Sequence, residues 1–415
     1  MEKLTFTIDG YSFSTAFNTA AKREQCAEKI LSTTGRHYSW YKENTGNKNW
    51  ILYDTEQYEV RNFDDIKYLV LNNRLMDVKT FLCVRRDFKG KLHLPINAST
   101  CSFMFVDSNV SEIDLTEFDT TNVVDMDYMF LEANLGDCLS LVSSTITQAN
   151  TPDRNILTLN TEGVISMSGM FKDCKVKHLD LRNLRTDNVT DFSDMFCSCN
   201  DLIDLNVDGF DTSKAKDFHG MFQGCIKLTQ LNVKHFNVDN VLHMSCLFSR
   251  CLRLKVINLE SWDFSQVSDA NEMFAYCEKL EKIIANFNFK MIKEMAFMFC
   301  YCTKLSKVDL SHSDLSHVFD FGYAFFKCEG LKEIRFSPGV WRKAKYTLSM
   351  FDNCKALERL NLPDVVLDDV VRSYAMFDDC DSLKEIYMEH PLNLEKYAHG
   401  LIFGNCKAEV KKSTE

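Results

Sequence analysis

The strongest constraint on this chain is a short motif that keeps returning at one spacing. Met221-Phe222…Cys225 recurs as Met170-Phe171…Cys174, Met195-Phe196…Cys199, Met273-Phe274…Cys277, Met298-Phe299…Cys302, Met350-Phe351…Cys354 and Met376-Phe377…Cys380. Looser copies are Leu247-Phe248…Cys251, Ala324-Phe325…Cys328 and Ile402-Phe403…Cys406. Two earlier copies, Met104-Phe105…Ser108 and Met129-Phe130…Ala133, put a small residue in the cysteine slot. From Cys174 to Cys406 the slot returns every 25 or 26 residues. A fixed period of this size implies a solenoid, in which each coil buries its apolar face on its neighbours.

Each coil reads column by column. Apolar residues follow the cysteine at three, six and eight positions, as in Leu228, Leu231, Val233 and Leu305, Val308, Leu310. The last two are separated by one residue, which is strand period: both point inward and the residue between points out. An aromatic–Asp/Asn pair comes next (Phe210-Asp211, Phe236-Asn237, Trp262-Asp263), where a short polar side chain suits a turning backbone. Val241, Met244 and Leu247 then step by threes, as one helical or 3₁₀ turn does. The expected fold class is therefore α/β: a leucine-rich-repeat-like solenoid with one short parallel strand and one short helical turn per coil.

The pattern from Phe210-Asp211-Thr212-Ser213 through Val233 resembles the BspA-type leucine-rich repeats of bacterial surface proteins. Phe118-Asp119-Thr120…Val123…Met126…Met129-Phe130 matches the first half of the same unit. The resemblance covers about residues 102–406. It implies a leucine-rich-repeat fold and an adhesion or protein-binding role, usually on secreted proteins.

Composition narrows the setting. The formal charge is −11, with 15 Lys+Arg against 12 Asp+Glu in residues 1–100 and 33 against 47 in the remainder. An acidic repeat array argues against a nucleic-acid groove, whose affinity comes from neutralising phosphates. No apolar run is long enough for a transmembrane helix, so no membrane insertion is expected. The start, MEKLTFTIDGYSF, does not read as a secretory signal. A column of cysteines in one core slot cannot pair uniformly without distorting alternate coils, so reduced thiols and a cytoplasmic setting are expected. The alternative is a secreted or cell-surface protein exported without a cleavable signal.

Residues 1–100 lack the repeat and are expected to form a small α+β N-terminal domain or cap. Lys3–Ile8 reads as a strand, Thr15–Leu31 as an amphipathic helix, and His37–Lys42 and Trp50–Tyr58 as strands about a turn at Asn44–Asn47. Asn62–Val84 carries apolar residues at helical spacing. The solenoid of about 12 repeats is expected over 101–406, followed by a tail at 407–415. Ala133 to Cys174 spans more than one period, which suggests an insertion at 134–160, polar enough to be a protruding loop.

No catalytic, cofactor-binding or metal-binding residues emerge. Cys197-Ser198-Cys199 and Cys300-Tyr301-Cys302 sit about four coils apart, near 19 Å at the spacing of parallel strands, too far to share one ion. The histidines occupy different columns with no recurring nucleophile or acid partner. Recognition remains, on the outward columns of the strands. The candidates for partner binding are Asp180, Asp204, Asn206, Gln230, Asn232, Asn258, Lys282, Lys307, Asp309, Arg335, Arg359 and Tyr387. Acidic and amide residues lead and basic ones follow, a grading that would orient a partner. The chain thus reads as a non-enzymatic scaffold that binds another protein, with an adhesin, or an enzyme whose chemistry sits in residues 1–100, as rivals.

The register makes one direct prediction. Leu231→Ala should cost about 2–5 kcal/mol and Asn232→Ala little, and thermal melts of the two variants check this.

Overall fold

In the computed structural model, the described residues are 99–110, 113–114, 120–136, 138–142, 155–341, 343–362, 374–388 and 402–412, with the backbone of the strands named below in residues 4–91. The repeats build a β-solenoid with one continuous core from Cys101 to Ala408.

Before the repeats, β1 (Leu4–Ile8) and β2 (Tyr11–Thr15) pair antiparallel. β3 (Tyr38–Lys42), β4 (Trp50–Asp54), β5 (Tyr68–Leu71) and β6 (Arg74–Asp77) form an antiparallel sheet in chain order. The last two correct the helical reading of 62–84: Leu69 and Val70 alternate with their partners Met76 and Leu75 across a hairpin. The helix expected at 15–31 lies outside the described residues, apart from Thr15 in β2. β7 (Gly90–Lys91) then pairs in parallel with β8 (Ile113–Asp114).

The region expected as an insertion contains two strands. β9 (Cys138–Val142) pairs in parallel with β11 (His178–Asn183), aligning Leu139 with Leu179. Leu139 and Leu141 lie six and eight positions past Ala133, so the repeat's own rule holds through Val142. β10 (Asn155–Thr158) adds to the other edge of β9. The protruding-loop reading is thus wrong for 138–142 and 155–158, because parallel pairing satisfies these backbones within the sheet.

The remaining strands are β12 (Asp204–Asn206), β13 (Val256–Leu259), β14 (Lys282–Ala285), β15 (Lys307–Leu310), β16 (Glu333–Phe336), β17 (Arg359–Leu362), β18 (Glu385–Met388) and β19 (Glu409–Lys412). All pair in parallel, but in short groups: β11 with β12, β13 with β14, β15 with β16, and β17 with β18 and β19. The residues expected as a tail therefore supply the last strand. Leu231 points in and Asn232 out, although their coil lacks a paired strand.

The backbone ladder that runs on between coils lies in the motif itself. Phe218, Gly220, Phe222 and Gly224 donate their N–H groups to His243, Ser245, Leu247 and Ser249 of the next coil. The alternate residues Met221, Gln223 and Cys225 donate three positions back, to Phe218, Gly220 and Phe222. The same alternation recurs at Met244–Cys251 and Met295–Cys302. This ribbon corrects the expected helical turn. The step of three is real, but it belongs to linked turns, because every second N–H is committed to the neighbouring coil and cannot propagate a helix.

Such a ribbon needs two left-handed residues per coil, four apart. Gly220 and Gly224 occupy these slots in one coil, but elsewhere they are Asp194 and Ser198, Glu272 and Tyr276, Phe297 and Tyr301, or Tyr323 and Lys327. Non-glycine residues enter this region at a conformational cost, which the ladder must offset. Gly169 shows how tightly the slots stack: a Cβ there would lie 2.3 Å from the Tyr128 ring of the preceding coil.

Inside the ribbon, one phenylalanine per coil stacks on the next from Phe105 to Phe403, with centroids 5.3 to 5.7 Å apart. That spacing suits offset stacking. The cysteine slot is buried as expected, but it is not merely apolar. Each thiol from Cys174 to Cys380 donates to the carbonyl of the stacked phenylalanine in the preceding coil, at 2.7 to 3.3 Å. The Phe222 carbonyl therefore receives the Cys225 N–H from its own coil and the Cys251 thiol from the next.

Two predictions follow from the ribbon. A serine in the cysteine slot finds an acceptor waiting, the phenylalanine carbonyl that the thiol uses. Cys225→Ser should thus cost no more than Cys225→Ala, each about 1–2 kcal/mol by loss of sulfur packing and of the S–H bond; urea denaturation of both variants checks the order.

The second concerns Asp127, whose Oδ1 accepts from the Ser166 hydroxyl and the Ser168 N–H. Burial pushes this carboxyl up to about 7, and repulsion from Asp125 adds to the shift. A carboxyl with a raised pKa favours the folded state while protonated, so its contribution is complete below about pH 4 and lost as the pH rises through 7. Asp127→Asn keeps the acceptor without the charge. It should raise Tm at pH 8, leave it nearly unchanged at pH 4, and flatten the profile between; differential scanning calorimetry across that window is the check.

Candidate functional site

The strand columns form the expected recognition face, and the structure divides it. Among the coils from His178 to Lys282, the flanking-column residues His178, Asp204, Gln230, Val256 and Lys282 are exposed. Asp204, Gln230 and Lys282 have no side-chain hydrogen bond or ion pair among the described residues. The residues between the paired inward ones are largely committed. Asn206 and Asn258 accept the N–H two residues on, at 3.1 and 3.0 Å. Asp309 does the same toward Ser311 (3.1 Å), and Asp180 holds Arg182 through two-pronged contacts, the shortest 2.7 Å. Asn232 donates to Asp208 at 2.8 Å. These side chains close the turn after the strand, as short amide and carboxylate groups do.

The later coils correct the expected charge grading. Lys307 pairs with Glu333 at 3.2 Å, and Arg335 reaches Glu333 at 2.6 Å and Asp309 at 3.7 Å. Arg359 meets Glu385 at 3.0 Å, Lys411 meets it too, and the Tyr387 hydroxyl donates to it at 2.9 Å. The bonds from Lys411 and Tyr387 hold the Glu385 carboxyl below its usual range. The basic cluster is therefore locally neutralised by cross-strand acids. Reversing Lys307 or Arg359 would set a carboxylate against Glu333 or Glu385, so such reversals perturb the coil as well as any partner.

One histidine does find a hydroxyl, which the sequence columns concealed. His219 Nδ1 lies 2.7 Å from Ser245 Oγ in the next coil. The nearby Asp217 carboxylate accepts the His219 backbone N–H rather than the ring, so it cannot orient the imidazole as a catalytic acid would. Ser168 and Ser193, 2.9 Å apart in the same column, make this pair one rung of a polar ladder. Cys199 and Cys302 fill the core slot, whereas Cys197 and Cys300 sit in the Gln223–Ser249–Ala275 column. Burial raises the Cys197 thiol to about 11, so it is no ready nucleophile. Among the described residues no three His, Cys, Asp or Glu side chains gather as a metal site.

A cluster missed at the level of sequence lies on the ribbon. Tyr276 and Tyr301 stack at 4.9 Å, and Phe297 and Tyr323 at 4.7 Å. Phe326 stands edge-on to both Tyr301 and Tyr323 at 5.5 Å. The Arg250 guanidinium covers Tyr276 at 5.4 Å, and Lys327 Nζ lies 4.9 Å from the Tyr301 ring centre on its hydroxyl side, donating to the hydroxyl at 3.1 Å. The available signal was the residue just before each core cysteine: Arg250, Tyr276, Tyr301 and Lys327 stand where other coils carry Ser198, Gly224 or Asn353.

Comparison with curated proteins finds no match. Solved structures similar to the chain include the crystal structure of a TLR13–ssRNA13 complex, at 14% identity over 72% of this chain and 50% of that one, TM-score 0.28. They also include a leucine rich cell surface protein of Faecalibacterium prausnitzii A2-165 (12% identity, 91% and 93% of the two chains, TM-score 0.28) and the pneumococcal vaccine antigen PcpA (12%, 91% and 98%, TM-score 0.32). The chain thus spans half the length of the first of these. These superpositions are too loose to bear on function. Family comparison matches overlapping stretches at 96–151, 138–230, 165–287, 253–360 and 277–390 to the family described as "Mycoplasma protein of unknown function, DUF285". The match names this family rather than the BspA type. Because the matched stretches run from 96 to 390, most of the 415 residues, the chain belongs to the DUF285 family.

Proposed function

We propose that the chain is a non-enzymatic scaffold that binds another protein along its strand columns, between His178 and Lys282. The observation that carries this reading is the exposed, uncommitted set Asp204, Gln230 and Lys282, with Val256 beside them at 45% exposure. A partner can engage these side chains without breaking internal bonds. At Lys307, Arg335 and Arg359 it must compete with existing ion pairs, so those residues, with Asp180, Asn206, Asn232, Asn258, Asp309 and Tyr387, belong to the framework of the face. An apolar residue amid free polar ones also suits the centre of an interface, where desolvation contributes most.

The same scaffold suits a surface or secreted protein. The cytoplasmic expectation rested on the cysteines staying reduced, and burial in the core accounts for that in any compartment. Burial raises the Cys225, Cys251 and Cys354 thiols well above their usual value, which keeps them in the protonated, unreactive form. Free thiols of this kind are as compatible with an oxidising setting as with a reducing one, so the cytoplasmic expectation loses its support.

A photo-crosslinking residue at Gln230 should capture a partner from extract of the native cell, whereas one at exposed Lys216 should not. Asp204→Ala/Lys282→Ala should weaken the captured complex by about tenfold with an unchanged melting curve. Equal capture at both positions would exclude the strand face.

A further inference from the structure

The aromatic cluster on the ribbon stands apart from the strand columns and has no role in the reading above. Its residues are costly where they are. Tyr276, Phe297, Tyr301 and Tyr323 hold φ of 61°, 58°, 61° and 56°, a region where bulky side chains are uncommon. Some equivalent slots elsewhere are filled by residues that enter it more cheaply, such as Gly220, Gly224 and Asn353. Among the described residues aromatic side chains recur in them only at Phe103 and Tyr128, which stack on each other. Tyr276, Phe297, Tyr301 and Tyr323 make the longer run, over three consecutive coils, and the one flanked by Arg250 and Lys327. Two cations border these rings, and neither Arg250 nor Lys327 forms an ion pair among the described residues, so their charge is available to a ligand.

We propose that this cluster is a second binding site, and that it takes an extended acidic segment of a partner protein with two carboxylates about four residues apart. The ring faces of the Tyr276–Tyr301 stack are already met by each other, by Arg250 over Tyr276 and by Phe326 edge-on to Tyr301, while Lys327 sits at the Tyr301 hydroxyl. A sugar or nucleobase that must lie flat on a free ring therefore finds none there. What the surface offers is two cations, the electropositive ring edges, and the hydroxyls of Tyr276 and Tyr323, all complementary to carboxylate and carbonyl oxygens. Arg250, Tyr276, Tyr301 and Lys327 follow one column, which places the cations three coil spacings apart, about 14 Å. An extended chain covers that distance in about four residues. Glu272 lies near Tyr276, and Glu329 and Asp352 near Lys327, close enough to influence those groups without forming an ion pair. They repel carboxylates placed elsewhere and so fix the register.

The site is tested on the full chain with a dye-labelled peptide, acetyl-Glu-Thr-Val-Thr-Glu-amide, by fluorescence anisotropy. The peptide should bind with an affinity that falls as salt rises, and at least about tenfold more tightly than its counterpart with Gln at both ends. Arg250→Gln/Lys327→Gln should remove that preference, Arg250→Lys/Lys327→Arg should retain it, and Asp204→Ala/Lys282→Ala should bind like the wild type. Thermal melts establish that each variant is folded. Should the Gln peptide bind equally well, or the charge-conserving pair lose binding while folded, the cation site is wrong. Loss only in the strand-column variant would move the peptide to the other face and overturn the proposal equally.

Discussion

The structure depends on a ribbon in which every second peptide group is handed to the next coil. Phe218, Gly220, Phe222 and Gly224 donate forward, while Met221, Gln223 and Cys225 close turns behind them. This division satisfies both sets of donors without helix or continuous sheet, and unmet buried donors would be costly. The stacked phenylalanines and the thiols that donate to their carbonyls lie on the inner side of the ribbon, so backbone and side chains share one repeat distance. A residue too large for the cysteine slot, or without a donor, disturbs two coils at once.

The ribbon also explains where the protein is strained and where it is charged. Two left-handed residues per coil are an architectural requirement, so φ near +60° at Asp194 or Arg250 reflects the fold rather than a site. Strain becomes informative only where the occupant is out of character, as at Tyr276 and Tyr301. Near the ribbon's entrance, carboxylates stack at coil spacing. Burial raises Asp127, Asp217 and Asp320 together, with neighbouring acids adding to each shift. The acidity of the repeats is therefore partly internal and is not all presented to partners.

On the strand side the same logic runs in reverse. Asp180, Asn206 and Asn258 face outward but spend their oxygens on the backbone two residues ahead. The flanking column has no such duty, and its side chains divide into a free set around Gln230 and an ion-paired set around Glu333 and Glu385. Surface ion pairs of this kind contribute little to stability. Their consequence here is to remove charge from a face that looked graded.

The sequence by itself determined the solenoid, its period, the inward column of Leu179, Ile257 and Leu360, and the burial of Cys225 and its equivalents, because burial in a repeat is a matter of spacing and side-chain polarity. The same spacing rule, applied past Ala133, makes Leu139 and Leu141 legible as a strand. The tertiary structure alone decided that the three-step segment is a ribbon of turns, because hydrogen bonds between coils carry no signature in local periodicity. It alone decided that Lys307 and Arg359 are neutralised, since their partners lie 26 residues away on an adjacent coil. It alone brought Arg250, Tyr276, Tyr301 and Lys327 into one stack: each is unremarkable in its own repeat, and only the coil spacing makes them neighbours.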